Sequence, residues 1–183
     1  MLGTPATITT VAKALSARPF TNVVLDPVLI CKGQEPGAAL DTDNALKAEI
    51  LPLATVVTPN HFESLSLSGM DAIDTEDDLI EAAKRIHERY GVTVVAKGGV
   101  RIAGPEAVDV YFDGVSLEVL RAPKVGEVAV SGAGCSLAAA IAAEIAKGAT
   151  TLEAARTAKA FVTEAITLRV ASNAPFDAVW QGD

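Results

Sequence analysis

The 183-residue chain is long enough for one domain, or for a large piece of one, and its 50% hydrophobic content allows a sizeable core. An excess of acidic over basic residues, 23 against 15, gives a formal charge of −8, which argues against nucleic acid as the main partner, and no apolar run predicts a membrane span. The two cysteines, Cys31 and Cys135, are far apart and form no CxxC motif, so we expect a reduced, cytoplasmic protein without a zinc site.

The N-terminal part of the chain predicts a helix, a strand and a second helix. Apolar residues recur at helical spacing over residues 7–15. Residues 23–25 are typical of a buried strand, which ends at Asp26-Pro27 because proline cannot donate to a sheet ladder. After a polar loop at residues 31–37, which we expect to be mobile, a helix is predicted from about residue 43 to residue 51. The first strand therefore places Asp26 at its carboxyl end.

Two further strands are also predicted to end in polar residues. Residues 55–57 form a short strand that is closed by the turn Thr58-Pro59-Asn60. Glu63 follows one helical turn later, so its carboxylate and the amide of this turn can face the same point. Residues 92–96 form the next strand, which ends in Lys97-Gly98-Gly99. Each strand thus leads directly to a candidate site residue.

Capping residues and turn signals define the other elements. Threonine favours helix N-caps, glycine favours helix C-termini, and an Asp-Gly pair favours a tight hairpin. These signals predict a helix between Thr75 and Gly91, a hairpin of residues 107–112 and 117–120 around a type I′ turn at Asp113-Gly114, and a last helix that begins at the capping box of Thr150 and Glu153 and runs to about Val170.

The glycine-containing stretch at residues 130–141 predicts an anion site. Gly132 and Gly134 carry no Cβ, so the backbone can approach a bound group closely. The alanine-rich helix that follows directs its unpaired N–H groups and the positive end of its dipole to the same place, which suits a phosphate. We expect this field to lower the pKa of the Cys135 thiol. The local sequence leaves a second interpretation open, namely a tight turn into a packed helix with a small buried cysteine.

Alternating strands and helices with a late hairpin predict an α/β sheet that helices cover on both faces. Ligands of such sheets bind outside the carboxyl ends of the strands. Asp26, Asn60 and Lys97 each follow a different strand, so one edge of the sheet should collect an acid, an amide and a cation. This convergence favours a binding site over a set of unrelated turns.

Five sequence blocks, in this order, resemble the ribokinase-type vitamin kinases, and within them the bacterial pyridoxal, pyridoxine and hydroxymethylpyrimidine kinases. The blocks are Val24-Leu25-Asp26-Pro27-Val28-Leu29-Ile30-Cys31-Lys32-Gly33, Thr58-Pro59-Asn60-His61-Phe62-Glu63, Lys97-Gly98-Gly99, Gly132-Ala133-Gly134-Cys135 and Ala158-Lys159-Ala160-Phe161-Val162. The resemblance implies one ribokinase-like domain over residues 1–183, with a mostly parallel sheet. It also implies that the first part of the fold is missing, which would leave the strand before Asp26 as an unpaired edge and the vitamin pocket incomplete.

The resemblance further implies the roles of individual residues. Gly132, Ala133 and Gly134 would form the anion hole, and Cys135 would be the catalytic base. Contacts with the nucleotide phosphates are implied for Asp26, Lys32, Thr58, Asn60 and Lys97. Glu63 and Asn60 would bind magnesium, largely through water, and Cys31 in the lid would make a catalytic contact with the substrate aldehyde. The implied cofactors are ATP and Mg²⁺. The implied partners are a small vitamin substrate, ATP and a second copy of the chain in a homodimer.

The implied reaction is ATP-dependent phosphorylation of the 5′-hydroxymethyl group of pyridoxal or pyridoxine. Cys31 favours this substrate because a reactive thiol suits an aldehyde. A hydroxymethylpyrimidine or hydroxymethylpyrimidine-phosphate kinase of thiamine synthesis shares nearly every block and is the alternative enzyme. The alternative of another class is a truncated, non-catalytic fragment that binds nucleotide. Val130-Ser131 departs from the Asn-His pair that is common before the glycine motif.

Overall fold

The computed structural model describes residues 2–18, 20–28, 36–173 and 176–182. The described helices are α1 (Pro5–Ala17), α2 (Pro36–Ala45), α3 (His61–Ser68), α4 (Glu76–Tyr90), α5 (Ala133–Ala146) and α6 (Thr151–Thr167). The described strands are β1 (Val24–Leu25), β2 (Val56–Val57), β3 (Thr93–Lys97), β4 (Glu106–Phe112) and β5 (Leu117–Pro123). The predicted lid residues Cys31 and Lys32 lie outside the described residues.

The strands form one sheet in the order β1-β2-β3-β4-β5. The first three strands are parallel, because helices connect them, and the β4–β5 hairpin extends the sheet with antiparallel pairing. Within the described residues β1 pairs with β2 alone, so it forms one edge of the sheet. The carboxyl ends of β1, β2 and β3 consequently lie at the same end of the sheet.

Alternating side chains divide the core between the two faces of this sheet. One face carries Val57, Val94, Ala96 and Val110, which form a buried cluster with Leu67, Leu79, Ala82, Ala83 and Ile86 of α3 and α4. The other face carries Val56, Val95, Tyr111 and Leu120, which pack with Leu137, Ile141, Ala154, Ala158 and Val162 of α5 and α6. The predicted α/β fold with helices on both faces is confirmed.

The second helix begins earlier and ends less regularly than residues 43–51 predict. It starts at Pro36, continues as a π-helical turn over Leu46–Ile50 and closes with a 3₁₀ turn over Leu51–Leu53. Leu46 and Ile50 pack against Ile8 of α1 in a separate small cluster. This irregular end brings the chain back to the sheet at β2.

The hairpin turn differs from the predicted type I′ turn at Asp113-Gly114. A type I′ turn needs positive φ at both central residues, but among the described residues only glycines have positive φ. The Asp113 carboxylate accepts hydrogen bonds from the N–H groups of Val115 (2.9 Å) and Ser116 (2.6 Å), so Asp113 precedes the turn. Gly114, with φ +94°, is then the first central residue, which is the pattern of a type II′ turn.

The N-cap of α4 provides a direct test of the sequence-based helix boundaries. Thr75 Oγ1 accepts the Asp78 N–H at 3.1 Å, and the Asp78 carboxylate accepts the Thr75 N–H at 2.9 Å. Replacing Thr75 by alanine should lower the free energy of unfolding by about 0.5–2 kcal/mol, because a first-turn N–H loses its acceptor. Urea unfolding measures the loss, and Thr75→Ser should retain most of the stability. Equal losses for the two variants would contradict the capping role.

Candidate functional site

The strand ends bring three of the predicted site residues into direct contact. Lys97 Nζ at the end of β3 lies 3.0 Å from Asp26 Oδ1, which follows β1. Thr58 Oγ1, which follows β2, donates to the same carboxylate oxygen at 3.3 Å. The lysine and aspartate side chains are only 13% and 18% exposed, so their attraction is less screened than that of a surface pair. The three strands thus deliver one cation, one acid and one hydroxyl to a single point.

Local backbone contacts explain why these side chains meet. Leu25 is opposite Val57 in the sheet, and Val57 is opposite Val94, so β1 and β2 end level and β3 continues three residues further to Lys97. The Thr58 N–H donates to the Leu25 carbonyl at 3.0 Å, and the Lys97 N–H donates to the Pro59 carbonyl at 2.8 Å. The residues that follow each strand are therefore fixed relative to one another before any side chain contributes.

The glycine turn lies against this cluster. Gly132 is the N-cap of α5 and has φ +86°, a backbone conformation that is strained for any residue with a side chain. As a glycine it also provides no side chain that could cap the helix. A Cβ on Gly134 would lie 3.1 Å from Lys97 Nζ, so glycine at this position allows the ammonium group to approach the first turn. The first-turn N–H groups and the lysine together make a positively charged cradle, which is the kind of environment that suits an anion.

The Cys135 thiol lies in this first turn, but its acidity differs from the prediction. Cys135 is exposed as a residue, yet partial burial of its thiol raises the pKa above the usual range. The negative charge of Asp26 and a hydrogen bond with its carboxylate raise the pKa further, whereas Lys97 opposes them. The predicted lowering was wrong because burial and the neighbouring carboxylate outweigh the positive field. The resting state is therefore a neutral thiol.

Asn60 and Glu63 form the reciprocal cap of α3. Asn60 Oδ1 accepts the Glu63 N–H at 3.0 Å, and Glu63 Oε2 accepts the Asn60 N–H at 2.7 Å. The glutamate is only 3% exposed, whereas the asparagine is exposed. The predicted common orientation of the two side chains is present, and the structure uses it to begin the helix. Their assignment to a metal ion stays a prediction.

A buried ion pair that the sequence analysis did not assign supports the Lys97 turn. Lys159 Nζ of α6 lies 2.8 Å from Asp109 Oδ2 of β4, and both side chains are about nine-tenths buried. The other carboxylate oxygen of Asp109 accepts the Gly98 N–H at 3.2 Å. A Cβ on Gly98 would lie 2.5 Å from the Val108 carbonyl oxygen, so the turn packs directly on β4. The sequence signal for this pair was the presence of one charged residue, Asp109 in the strand and Lys159 in the helix, at a position that the apolar pattern of its element makes buried.

Within the described residues, no helix is long and apolar enough to cross a membrane. The same residues include no cluster of three or more His, Cys, Asp or Glu side chains that could hold a metal ion.

The parallel strand ends and the glycine-initiated helix define an α/β protein with a positively charged helix N-terminus at the sheet edge. Residues 1–179 match the family model of phosphomethylpyrimidine kinase. The chain belongs to this family, and the predicted resemblance is confirmed.

Individual relatives agree with this assignment. The chain is 45% identical to the pyridoxine kinase of Bacillus subtilis over 166 residues, which cover 91% of this chain and 61% of that protein. The ADP complex of Bacillus subtilis pyridoxal kinase superimposes with a TM-score of 0.90 at 42% identity, covering 98% of this chain and 67% of that one. The Staphylococcus aureus pyridoxal kinase in complex with AMP-PCP and pyridoxal gives a TM-score of 0.87 at 34% identity, covering 98% and 64%. The chain thus spans about three-fifths of the length of the relatives it matches.

Alkylation of Cys135 tests the electrostatics of the site without any assumption about activity. Asp26→Asn removes a negative charge that raises the thiol pKa, so the thiolate fraction and the iodoacetamide rate at pH 8 should both increase. Lys97→Met removes the cation that lowers the pKa, so the rate should decrease. Mass spectrometry of the Cys135 peptide separates this reaction from that of Cys31. Shifts of the same sign in both variants would contradict the assigned contacts.

The buried pair should show strong coupling in a double-mutant cycle. Lys159→Met leaves the Asp109 carboxylate buried without its cation, which should cost about 3–5 kcal/mol of unfolding free energy. Adding Asp109→Asn removes the unpaired charge and keeps an acceptor for the Gly98 N–H, so the double variant should be more stable than Lys159→Met alone. Urea unfolding of all four proteins measures the coupling. Additive losses would show that the two side chains act independently.

Proposed function

We propose that this chain carries the phosphoryl-transfer site of an ATP-dependent kinase that phosphorylates the 5′-hydroxymethyl group of pyridoxal or pyridoxine. The observation that carries the proposal is the Lys97–Asp26 pair set against the glycine-initiated first turn of α5. The relatives support it, since one was solved with ADP and another with AMP-PCP and pyridoxal. Both the nucleotide and the vitamin are thus ligands of proteins with the same fold.

The transferring phosphoryl group is proposed to bind at the N-terminus of α5. Backbone N–H groups of Gly132, Ala133 and Gly134 provide donors, and Lys97 provides a compact positive charge beside them. Thr58 and Asp26 fix the lysine in position on the opposite side. Such preorganised charge is the main protein contribution to phosphoryl transfer, in which little covalent chemistry involves the protein.

Cys135 is proposed as the general base. The substrate hydroxyl gives its proton to the Cys135 thiolate as its oxygen forms a bond to the γ-phosphorus, and the bond from that phosphorus to ADP breaks. Because burial and Asp26 hold the resting thiol neutral, the thiol has to lose its proton first. Turnover is therefore expected to increase with pH as the thiolate fraction increases.

Asn60 and Glu63 are proposed to hold Mg²⁺ through water. Their carboxylate and amide oxygens are the donor type that this hard cation prefers. Because both side chains are tied into the α3 cap, they fit water-mediated contact with a cation bound mainly by nucleotide phosphates. The ion would supply charge neutralisation for the phosphates. Lys32 and Cys31, outside the described residues, keep their proposed roles at the phosphates and the substrate aldehyde.

A hydroxymethylpyrimidine or hydroxymethylpyrimidine-phosphate kinase is the second candidate. The description of the matching family model favours it, and its reaction would use the same phosphate cradle and base. The third candidate is a nucleotide-binding fragment without activity. A substrate panel separates the three: pyridoxal, pyridoxine and hydroxymethylpyrimidine with ATP and magnesium, alongside AMP-PCP calorimetry. Binding without turnover would identify the fragment, and neither would contradict all three.

Cys135→Ala tests the proposed base. Loss of a well-placed base should lower kcat about 10²- to 10⁴-fold, while the dissociation constant of AMP-PCP stays within about threefold. Ala139→Ser, at an exposed position one turn along α5, is the matched control and should keep the wild-type kcat. Loss of AMP-PCP binding in Cys135→Ala would instead indicate that the thiol is structural.

A further inference from the structure

The C-terminal segment 177–181 lies directly against the glycine turn. The Ser131 N–H donates to the Asp177 carbonyl at 2.8 Å, and the Val179 N–H donates to the Ser131 carbonyl at 2.9 Å. Both polar groups of the Ser131 backbone are therefore bound by the tail. These bonds do not use the Ser131 side chain, so the departure from the Asn-His pair at this position leaves them intact.

The same segment is anchored independently of the turn. Ala178 exchanges two backbone hydrogen bonds with Val170, at 2.9 and 3.0 Å. On its other side it forms a β-bridge with Ser131, so it pairs with one residue on each side. The Trp180 N–H donates to the Ala165 carbonyl of α6 at 3.1 Å. The tail thus forms the middle of a small three-segment sheet fixed to the C-terminal end of α6. This pairing also explains why α6 ends at Thr167 rather than at the predicted Val170.

Side chains of the tail contact the first turn of α5 as well. A Cβ on Gly132 would lie 3.0 Å from Val179 Cγ1, and Val179 is 8% exposed, so the valine packs on the left-handed glycine. Gln181 Nε2 donates to Ser136 Oγ at 3.1 Å. The tail therefore contacts the glycine turn at its start, at Ser131 and Gly132, and the first turn of α5 at Ser136.

We propose that segment 177–181 is a positioning element of the anion hole, which holds the Ser131-Gly132 turn so that the first-turn N–H groups of α5 face the phosphate. Glycine adopts the left-handed conformation of Gly132 readily, but it adopts many other backbone conformations as well. Contacts with another part of the chain must therefore select the left-handed one. The tail bonds on Ser131 and the packing of Val179 make that selection. This inference rests on the proposed function for its catalytic consequence, but the ordering of the turn can be observed separately.

Val179→Pro is the sharpest variant, because it removes the N–H bound to the Ser131 carbonyl while proline still allows an extended backbone. With the turn displaced, kcat for the preferred substrate should fall about 10- to 100-fold, as expected for a misplacement of about 1 Å at a reacting centre. The KM for ATP should change less than threefold. Amide hydrogen exchange of residues 130–136 should become faster, whereas that of α4 should not change.

Arg169→Ala, at a residue just after α6 that contacts the tail, is the matched control. It breaks the exposed ion pair between Arg169 and the Asp177 side chain, at 3.2 Å, and leaves the backbone bonds of Ser131 in place. Both kcat and the exchange of residues 130–136 should match wild type. If Val179→Pro does not fold, Val179→Ala keeps the N–H, removes the packing on Gly132 and should show smaller changes of the same sign.

The outcomes are distinguishable from failure of the proposed function. Unchanged exchange of residues 130–136 in a folded Val179 variant would overturn the proposal, and so would faster exchange with an unchanged kcat. If the wild-type chain turns over no substrate, the proposed function fails. The exchange measurement then decides by itself whether the tail orders the turn.

Discussion

The contact between Lys97 and Asp26 is the interaction on which the rest of the site depends. It joins the ends of two strands that are not neighbours, because β2 lies between β1 and β3. The pair can form only if the parallel register brings Lys97 beside the residue that follows β1 and if Gly134 leaves room for the ammonium group. Its two charges also act in opposite directions on the Cys135 thiol. Sheet register, the glycine of α5 and the acidity of the thiol are therefore coupled through one ion pair.

Local sequence patterns predicted the fold and the meeting of the strand-end residues well. Proline after β1 and the polar turns after β2 and β3 mark where each strand stops, and parallel pairing then brings Asp26 and Lys97 together as predicted. From the second strand, the side chain that contacts Asp26 is Thr58, whereas the predicted Asn60 caps α3. The N-cap at Thr75 and the capping box at Thr150 were likewise predicted, since a cap involves residues three positions apart. Such features are predictable because the residues that decide them are close in the sequence or repeat at a fixed period.

Other features depend on distances that no local pattern contains. The direction of the Cys135 pKa shift results from competition between burial, Asp26 and the positive groups nearby, and only the folded geometry shows which of them is larger. The pairing of Asp109 with Lys159 joins residues fifty positions apart. In the hairpin, the Asp113 carboxylate captures two N–H groups and moves the turn forward by one residue. In each case a tertiary or side-chain contact overrides the local preference.

Two glycine turns adjoin Lys97, and each is held by a remote part of the chain. The turn at Gly98 is bound by Asp109, which Lys159 of α6 holds in place. The turn at Gly132 is bound by the tail that is anchored on Ala165 of the same helix. Glycine supplies close approach but no rigidity, so a site built from glycine turns needs external support to keep a fixed geometry. Helix α6 supports both turns, the first through Lys159 and the second through Ala165, so a change in its position would move the two turns together.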